Sequence, residues 1–276
     1  MKRIIVLLTA SLVALLPAGA FGFRWKQLPV DGSRTGVTCP SAGNVPETMG
    51  GMKGRAYVAP NGRVFKGRSA TAKVARLMLN AQPGMAEVKE VIGFCPTGLE
   101  RGGDESLLGD WAVDALISAA EKEFGVRPDI GLLNHGGIRI DMPQGEVLMD
   151  DLMSMFPFKN YLVFAQVRGS ELRKLFTQFA ESGFQCLSGV RIVAKDHKLV
   201  SVEIGGKPLD DKKLYNMTTI DFLLGGGDHI AIGAMAENLV LSDVLIKDYM
   251  IRYIKAQTAA GKNIEYAKDG RIIIEE

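Results

Sequence analysis

The sequence predicts an α+β fold with mixed, largely antiparallel sheets and packed helices. Helical and strand patterns alternate along the 276 residues, an order that by itself would also suit a parallel sheet. Tight turns beside short strands around Ile192, Val202 and Tyr215 favour antiparallel pairing instead. With 47% hydrophobic and 23% charged residues the composition is that of a globular protein, so it excludes a disordered or collagen-like chain.

The first twenty residues have the pattern of a secretory signal peptide. Lys2 and Arg3 precede an almost wholly apolar run over residues 4–16, and small residues at 18–20 supply a cleavage pattern. The apolar run is short for a membrane span, and no later segment is long and apolar enough for one. We therefore expect an exported protein, periplasmic or extracellular, without a membrane span. A retained interfacial anchor is the alternative.

The charge balance argues against a nucleic-acid partner. The chain has 33 basic and 31 acidic residues, and loss of Lys2 and Arg3 with a signal peptide would leave a net charge of zero. Nucleic-acid binding usually requires an excess of Lys and Arg. Cys39, Cys95 and Cys186 are widely spaced and allow one disulfide without indicating which pair forms it.

Residues 21–94 are interpreted as an N-terminal extension with a short hairpin and a helix. Pro60-Asn61-Gly62 is a turn signal between the apolar segments 56–58 and 64–65. A helical pattern begins at Ser69 or Thr71 and ends before Pro83. A strand over 88–94 closes the extension.

Residues 95–276 are expected to form the main domain, and its clearest helix covers about 105–124. Asp104 is positioned to cap the free N–H groups of this helix, and Gly125 and Pro128 end it. Further strands are predicted over 129–133, 161–167, 190–194, 199–204, 214–220 and 271–274, and further helices over 169–182 and 242–257.

Two glycine-containing loops contain the residues whose chemistry suits ligand binding. The loop 134–139 follows an apolar strand, has adjacent glycines that let the backbone approach a ligand, and ends in an arginine suited to phosphate or carboxylate. The loop 221–228 adds a phenylalanine and a carboxylate. Neither matches GxxxxGK[ST] or GxGxxG, and each alone is also compatible with an ordinary tight turn.

Seven short motifs occur in order along the main domain. Together they resemble the C-terminal, substrate-binding domain of the 5′-nucleotidase and UDP-sugar hydrolase family over roughly residues 95–235. The resemblance implies an α+β domain that holds a nucleotide, while a separate metallophosphatase domain cleaves the phosphate ester. The motifs are Glu105-Ser106-x-x-Gly109, Asn134-x-Gly136-Gly137-Ile138-Arg139, Pro157-Phe158-x-Asn160, Gly169-x-x-Leu172, Ser188-Gly189, Gly206-Lys207-Pro208-Leu209 and Phe222-x-x-x-Gly226-Gly227-Asp228.

The resemblance also implies a role for each site residue. Phe158 and Phe222 would sandwich the base, because aromatic stacking tolerates different bases, and Asn134 would touch it. Asp228 would accept hydrogen bonds from the ribose hydroxyls. Arg139 would bind the phosphate. Arg101 would substitute for the phosphate-binding arginines of the family, from which it is displaced by a few residues, and it stands close to the repelling Asp104. Gly137 is also expected to belong to the substrate-binding residues.

The sequence departs from the family in its metal motifs. Catalysis in the family uses two divalent metals held by Asp-x-His, Gly-Asn-His-Asp/Glu and Gly-His-x-His, and none of these surrounds His135, His197 or His229. We therefore expect no catalytic residue, metal ligand or cofactor on this chain. The expected function is nucleotide or nucleoside binding in a split 5′-nucleotidase whose metallophosphatase is a separate chain. A stand-alone binding or scaffolding protein is the alternative.

Overall fold

The structure is a computed structural model that describes residues 32–275. The expected signal peptide, residues 1–20, lies outside the described residues. Within them the chain divides into two compact units, one containing residues 46–75 and the chain up to 39, the other containing 40–45 and 76–275. The predicted boundary at residue 95 falls inside the second unit.

The first unit contains a small antiparallel sheet of three strands, β1 (Gly51–Lys53), β2 (Ala56–Val58) and β3 (Val64–Phe65). The β2–β3 hairpin confirms the turn signal around Asn61. In this unit Tyr57 is 2% exposed, and its hydroxyl donates to the Met49 carbonyl at 2.7 Å. Two helices have ends near the unit boundaries, α1 (Val45–Met49) and α2 (Ala70–Ala81), and the second confirms the predicted helix.

The second unit contains a five-stranded sheet. Its strands are β5 (Ile130–Leu133), β7 (Tyr161–Arg168), β8 (Cys186–Ser188), β12 (Leu214–Ile220) and β13 (Ala236–Leu245). Their order in the sheet is β13-β7-β12-β5-β8. Only the β12–β5 pair is parallel, and the other three pairs are antiparallel. This mixed, mostly antiparallel arrangement confirms the predicted fold class.

Two smaller sheets belong to the same unit. Their strands are β4 (Val91–Cys95), β6 (Gly145–Leu148), β9 (Val190–Lys195), β10 (Lys198–Ile204), β11 (Lys207–Pro208) and β14 (Ile272–Glu275). One sheet has the order β11-β10-β9-β14, with β14 as an edge strand parallel to β9. The other sheet pairs β4 with β6 in antiparallel orientation.

Five helices complete the second unit, and the long central one packs on the five-stranded sheet. This helix, α3 (Leu107–Phe124), buries Leu108, Trp111 and Leu116. Among residues 32–275, no helix combines the length and apolar composition needed to cross a bilayer. The other helices are α4 (Met149–Met155), α5 (Gly169–Ser182), α6 (Ile232–Met235) and α7 (Ile246–Ala259).

The predicted cap of α3 is wrong by two residues. Ser106, in an extended conformation, caps the helix, and its Oγ accepts from the Gly109 N–H at 3.1 Å. Asp104 instead accepts from the Phe184 N–H at 3.0 Å, a contact 80 residues away in sequence. At the other end Gly125 adopts a left-handed φ of 71° and ends the helix, as predicted.

The predicted final helix over 242–257 also begins too early. Residues up to Leu245 belong to β13, which pairs along β7 with Leu241 opposite Val163, and α7 starts only at Ile246. The pairing partner lies about 80 residues earlier in the chain, and a local pattern does not contain it. All three cysteines are free thiols, Cys39 exposed and the other two buried.

Candidate functional site

Three loops meet at one edge of the five-stranded sheet. Because β5 and β12 are parallel, the loops that follow them, 134–139 and 221–229, leave the sheet at the same edge. Strand β7 runs antiparallel to β12, with Leu162 opposite Ile220, so the segment 156–160 before β7 enters at this edge too. The strand directions therefore assemble residues that are almost a hundred positions apart.

These loops enclose a cleft of about 250 Å³. Six of the seven residues predicted to bind substrate line it, and the structure adds Gly136 and Asn160. Both residues were already part of the motifs Asn134-x-Gly136-Gly137-Ile138-Arg139 and Pro157-Phe158-x-Asn160, so a signal for each existed in the sequence. The full lining is Asn134, Gly136, Gly137, Arg139, Phe158, Asn160, Phe222 and Asp228.

Two phenylalanine side chains give the cleft its apolar surface. Phe158 is 46% exposed and Phe222 is 47% exposed, and they come from different loops. Phe222 lies on a 3₁₀ turn held by Asp221, whose carboxylate accepts from the Tyr161 and Phe222 N–H groups at 2.9 and 3.0 Å. Large apolar side chains are usually buried, so two half-exposed rings on one cleft form a surface suited to a flat ligand.

Arg139 is the cation among the residues that line the cleft. Its backbone N–H donates to the Met155 carbonyl at 2.9 Å, and its Nη1 donates to the Gly136 carbonyl at 3.1 Å. The guanidinium carbon lies 5.8 Å from the centre of the Phe158 ring. A guanidinium has five N–H donors, so the bond to Gly136 leaves donors available for an anion.

On the side of the cleft formed by the glycine-rich loop, Asp228 contributes a carboxylate. Its Oδ2 accepts from the Asn134 Nδ2 at 2.6 Å, across 94 residues of sequence. Asp228 is exposed and has left-handed backbone angles, with φ 50° and ψ 35°, whereas Asn134 is only 4% exposed. The cleft therefore presents one carboxylate and one guanidinium.

Arg101 is the predicted site residue that does not line the cleft. Its Nη1 donates to the Ile138 carbonyl at 3.2 Å, and its backbone N–H donates to Asp141 at 3.0 Å. The same aspartate lies 3.5 Å from the Arg101 Nε. These partners place Arg101 beside the backbone of residues 138–141, and Arg101 is not among the residues that line the cleft.

His135 belongs to the first loop, but its ring contacts a buried thiol. Its Nδ1 lies 3.2 Å from the Cys186 Sγ. Burial lowers the pKa of His135 and raises the pKa of Cys186 to about 12. A neutral thiol is a poor nucleophile, so the contact with His135 does not activate Cys186.

The structure also places three carboxylates together in the second unit. Among residues 32–275, oxygens of Glu105, Asp110 and Asp269 all lie within 4.8 Å of one another. Arg271 is close to this group, with its Nη2 2.8 Å from Asp269 and its Nε 3.8 Å from Asp110. The group contains no histidine and already has a cationic partner, so it does not fit the two-metal site of a phosphatase.

Gly227 sets the position of the Phe222 ring. An ideal Cβ on Gly227 would stand 2.6 Å from one carbon of that ring and 2.4 Å from the Phe222 carbonyl oxygen. We therefore expect Gly227→Ala to displace the ring and to weaken any ligand that stacks on it. Gly225→Ala is the matched control, because nothing lies within 4 Å of its Cβ position. Equal ligand affinity of the two variants in calorimetry would contradict this role of Gly227.

Comparison with known proteins shows which family and which relatives this chain resembles. Residues 85–235 match the model of the "5'-nucleotidase, C-terminal domain" family. The chain is 30% identical over 152 residues to protein UshA of Yersinia enterocolitica, covering 53% of this chain and 28% of UshA. It is 33% identical over 184 residues to the cell wall protein Lmo0130 of Listeria monocytogenes, covering 60% of this chain and 23% of that protein.

The fold has a counterpart among solved structures. The 5′-nucleotidase precursor of Thermus thermophilus superimposes with a TM-score of 0.64 at 26% identity, covering 79% of this chain and 45% of that one. The chain therefore spans less than half the length of that protein and less than a third of UshA and Lmo0130. Since the family model covers more than half of the 276 residues and the resemblance in the motifs runs through the same segment, the chain belongs to the 5′-nucleotidase C-terminal domain family.

Proposed function

We propose that the cleft binds a nucleoside monophosphate or a nucleoside, and that the chain is the exported nucleotide-binding half of a split 5′-nucleotidase. In this proposal a metallophosphatase on another chain hydrolyses the phosphoric monoester, and the pair serves nucleotide catabolism. The observation that carries the proposal is the pair of half-exposed phenylalanines, Phe158 and Phe222, on one cleft with Arg139.

The chemistry of the lining matches the three parts of a nucleotide. A base is flat and stacks on aromatic rings, which Phe158 and Phe222 supply. The ribose hydroxyls donate hydrogen bonds, which the Asp228 carboxylate accepts. The phosphate is an anion suited to the guanidinium of Arg139. Since the carboxylate would repel the phosphate, the two charged side chains also favour one orientation of the ligand.

The proposed catalytic partner follows from what the family's chemistry requires. Two divalent metals polarise the phosphate and generate the attacking hydroxide, and the sequence contains none of the family's metal-binding motifs. In the proposal these metals are held by the partner chain, and this chain needs no cofactor of its own. The signal-peptide pattern of residues 1–20 supports export, as does similarity to a protein named as a cell wall protein.

Replacing Arg139 tests how the phosphate is held. We expect Arg139→Ala to weaken AMP binding by about 1.5–3 kcal/mol, the range for a hydrogen bond to a charged group, and to change adenosine binding little. Arg101→Ala is the control, because Arg101 lies outside the cleft and is bonded to Ile138 and Asp141. Titration calorimetry gives both affinities, and equal losses for AMP and adenosine would exclude Arg139 as the phosphate ligand.

The split-enzyme part of the proposal needs a partner assay. Chains that co-purify with the protein from its native source are screened for a metallophosphatase, which is then assayed with AMP alone and with this chain added. We expect complex formation and faster AMP hydrolysis, lost with Phe222→Ala. Nucleotide binding without a complex or a rate change would instead indicate a stand-alone binding protein.

A further inference from the structure

We infer that the exposed face of helix α2 is a docking surface for a lipid bilayer with anionic headgroups. The helix has an apolar stripe that faces solvent, and the part of the chain around it is strongly basic. A bilayer of this kind presents negative phosphate groups directly above an apolar layer, so it fits both features. The inference is independent of the proposed nucleotide-binding function.

Three large apolar side chains form this stripe, which we call the α2 stripe. Val74 is 59% exposed, Leu77 is 71% exposed and Met78 is 49% exposed. Because each residue of an α-helix adds a rotation of about 100°, these three positions lie within about 100° of the helix circumference. Single exposed apolar residues are ordinary, whereas a contiguous group of them marks an interaction surface.

The opposite side of α2, which faces the protein, has a small residue instead. Ala72 is fully buried, and it lies almost opposite Val74 on the helix. The start of the helix is capped by Ser69, whose Oγ accepts from the Ala72 N–H at 3.2 Å. A surface helix normally directs its large apolar side chains at the core. Since α2 directs them at solvent, the α2 stripe is available to a partner.

The charges in this part of the sequence are almost all positive. Residues 32–81 contain eight basic residues and a single acidic one, Glu47, whereas residues 82–276 contain 21 basic and 29 acidic residues. Helix α2 itself contains no acidic residue. The charge of this segment is therefore complementary to an anionic surface, and the charge of the remaining chain is not.

Three of the cations lie on α2 or just before it. Lys73 is exposed beside the α2 stripe, and Lys66 and Arg68 are exposed in the segment between β3 and α2. None of the three forms an ion pair within the part of the chain that the structure describes. Their charges are thus available to anions outside the chain.

A bilayer surface uses the apolar and the basic residues together. The α2 stripe enters the boundary between headgroups and acyl chains, and the long side chains of Lys66, Arg68 and Lys73 reach the phosphates. A nucleic acid also offers phosphates, but it has no apolar layer beneath them and leaves the α2 stripe in water. With only three apolar side chains the helix binds weakly to neutral lipid, so the attraction to anionic headgroups decides the binding.

Vesicle sedimentation tests this inference on the chain expected after export, residues 21–276. The vesicles contain phosphatidylglycerol and phosphatidylcholine in equal amounts, or phosphatidylcholine alone. We expect the protein to bind the anionic vesicles about tenfold or more tightly than the neutral ones at low salt. High salt should remove most of this difference, because it screens exposed charges.

Substitutions separate the two contributions. Leu77→Gln should weaken binding to the anionic vesicles by about tenfold, the scale of one large apolar side chain. Lys73→Gln should weaken it by about fivefold, the scale of one cation at an anionic surface. Val200→Gln and Lys198→Gln are the matched controls, because they make comparable changes at exposed positions of β10. Residues 21–31 are the same in all variants, so the differences report on α2.

Thermal unfolding and AMP affinity are measured on the same samples and should be equal in all variants. Failure of the wild type to bind the anionic vesicles at low salt would overturn the inference, as would equal binding of Leu77→Gln and Val200→Gln. Loss of a protein complex with Leu77→Gln, without loss of vesicle binding, would assign the α2 stripe to a protein partner instead and would also overturn it. Because AMP binding is a separate readout, none of these results bears on the proposed function.

Discussion

Phe222→Ala and Phe158→Ala should each weaken AMP binding by about 1–3 kcal/mol, the range for removing one aromatic ring that stacks on a base. Both rings are about half exposed and line the cleft, so their loss creates no core cavity. The fold should therefore survive, and the free energy of unfolding should change little. Titration calorimetry and denaturant unfolding measure the two quantities on the same samples.

Phe94→Ala is a matched control for these substitutions. Phe94 is 47% exposed, as Phe222 is, but it lies on β4 and does not line the cleft. Its replacement should leave AMP affinity unchanged. If Phe94→Ala weakened binding as much as Phe222→Ala did, the effect would be a general consequence of losing a surface ring, and base stacking in the cleft would be refuted.

Much of the fold could be predicted because the signals are local. Helix α3 shows its periodic apolar face and its terminal Gly125 within twenty residues, and the β2–β3 hairpin is specified by a three-residue turn. The antiparallel pairing of β9 with β10 was also predictable, because the turn between Ile192 and Val202 is short. Such elements require no knowledge of the rest of the chain.

The predictions of secondary structure were wrong where a contact with a distant residue determines the local conformation. Asp104 has the side chain of a good helix cap, yet its carboxylate is used by the Phe184 N–H. Residues 242–245 fit a helical pattern but pair as the end of β13 with β7. In each case a partner about 80 residues away competes with the local preference, and a pattern read along the chain does not include that partner.

The candidate site was also predicted only in part from the sequence. Ordered motifs placed six residues that the structure brings to one cleft, because parallel β5 and β12 end at the same edge. The motifs do not specify how each side chain is buried. Arg101 is close in sequence to the expected arginines but bonds to Ile138 and Asp141, and the Asn134 amide donates to Asp228, 94 residues away. Side-chain roles therefore required the structure.

Asp110→Asn is expected to change the pH dependence of stability more than any other single replacement discussed above. Asp110 is 2% exposed on α3, and its Oδ2 has no hydrogen bond. The pKa of Asp110 is raised from 3.8 to about 7, mainly by burial. The positive charge of Arg271 lowers this pKa, and the negative charges of Glu105, Asp269 and Asp114 raise it. Arg271 itself keeps its charge, because hydrogen bonds to Asp269 and Asp114 outweigh its burial and raise its pKa.

The sign of the effect follows from proton linkage. Between pH 3.8 and about 7 the unfolded chain has lost the Asp110 proton while the folded chain still holds it. The stability of the wild type therefore falls as pH rises through this window, by about 1.4 kcal/mol per pH unit from this one group. Above pH 7 both states are ionised and the contribution is constant. Asparagine carries no titrating proton, so the variant lacks this loss.

Urea unfolding of the wild type and Asp110→Asn from pH 4 to pH 9 measures this difference directly. Relative to the wild type, we expect the free energy of unfolding of the variant to rise by up to about 4 kcal/mol between pH 4 and pH 7. Above pH 7 the difference between the two proteins should stay constant. Asp243→Asn is the control, because it makes the same change of side chain at an exposed position on β13. A constant gap between Asp110→Asn and the wild type across the whole range would mean that Asp110 is already ionised at pH 4. In that case Arg271 would compensate fully for the burial of this carboxylate.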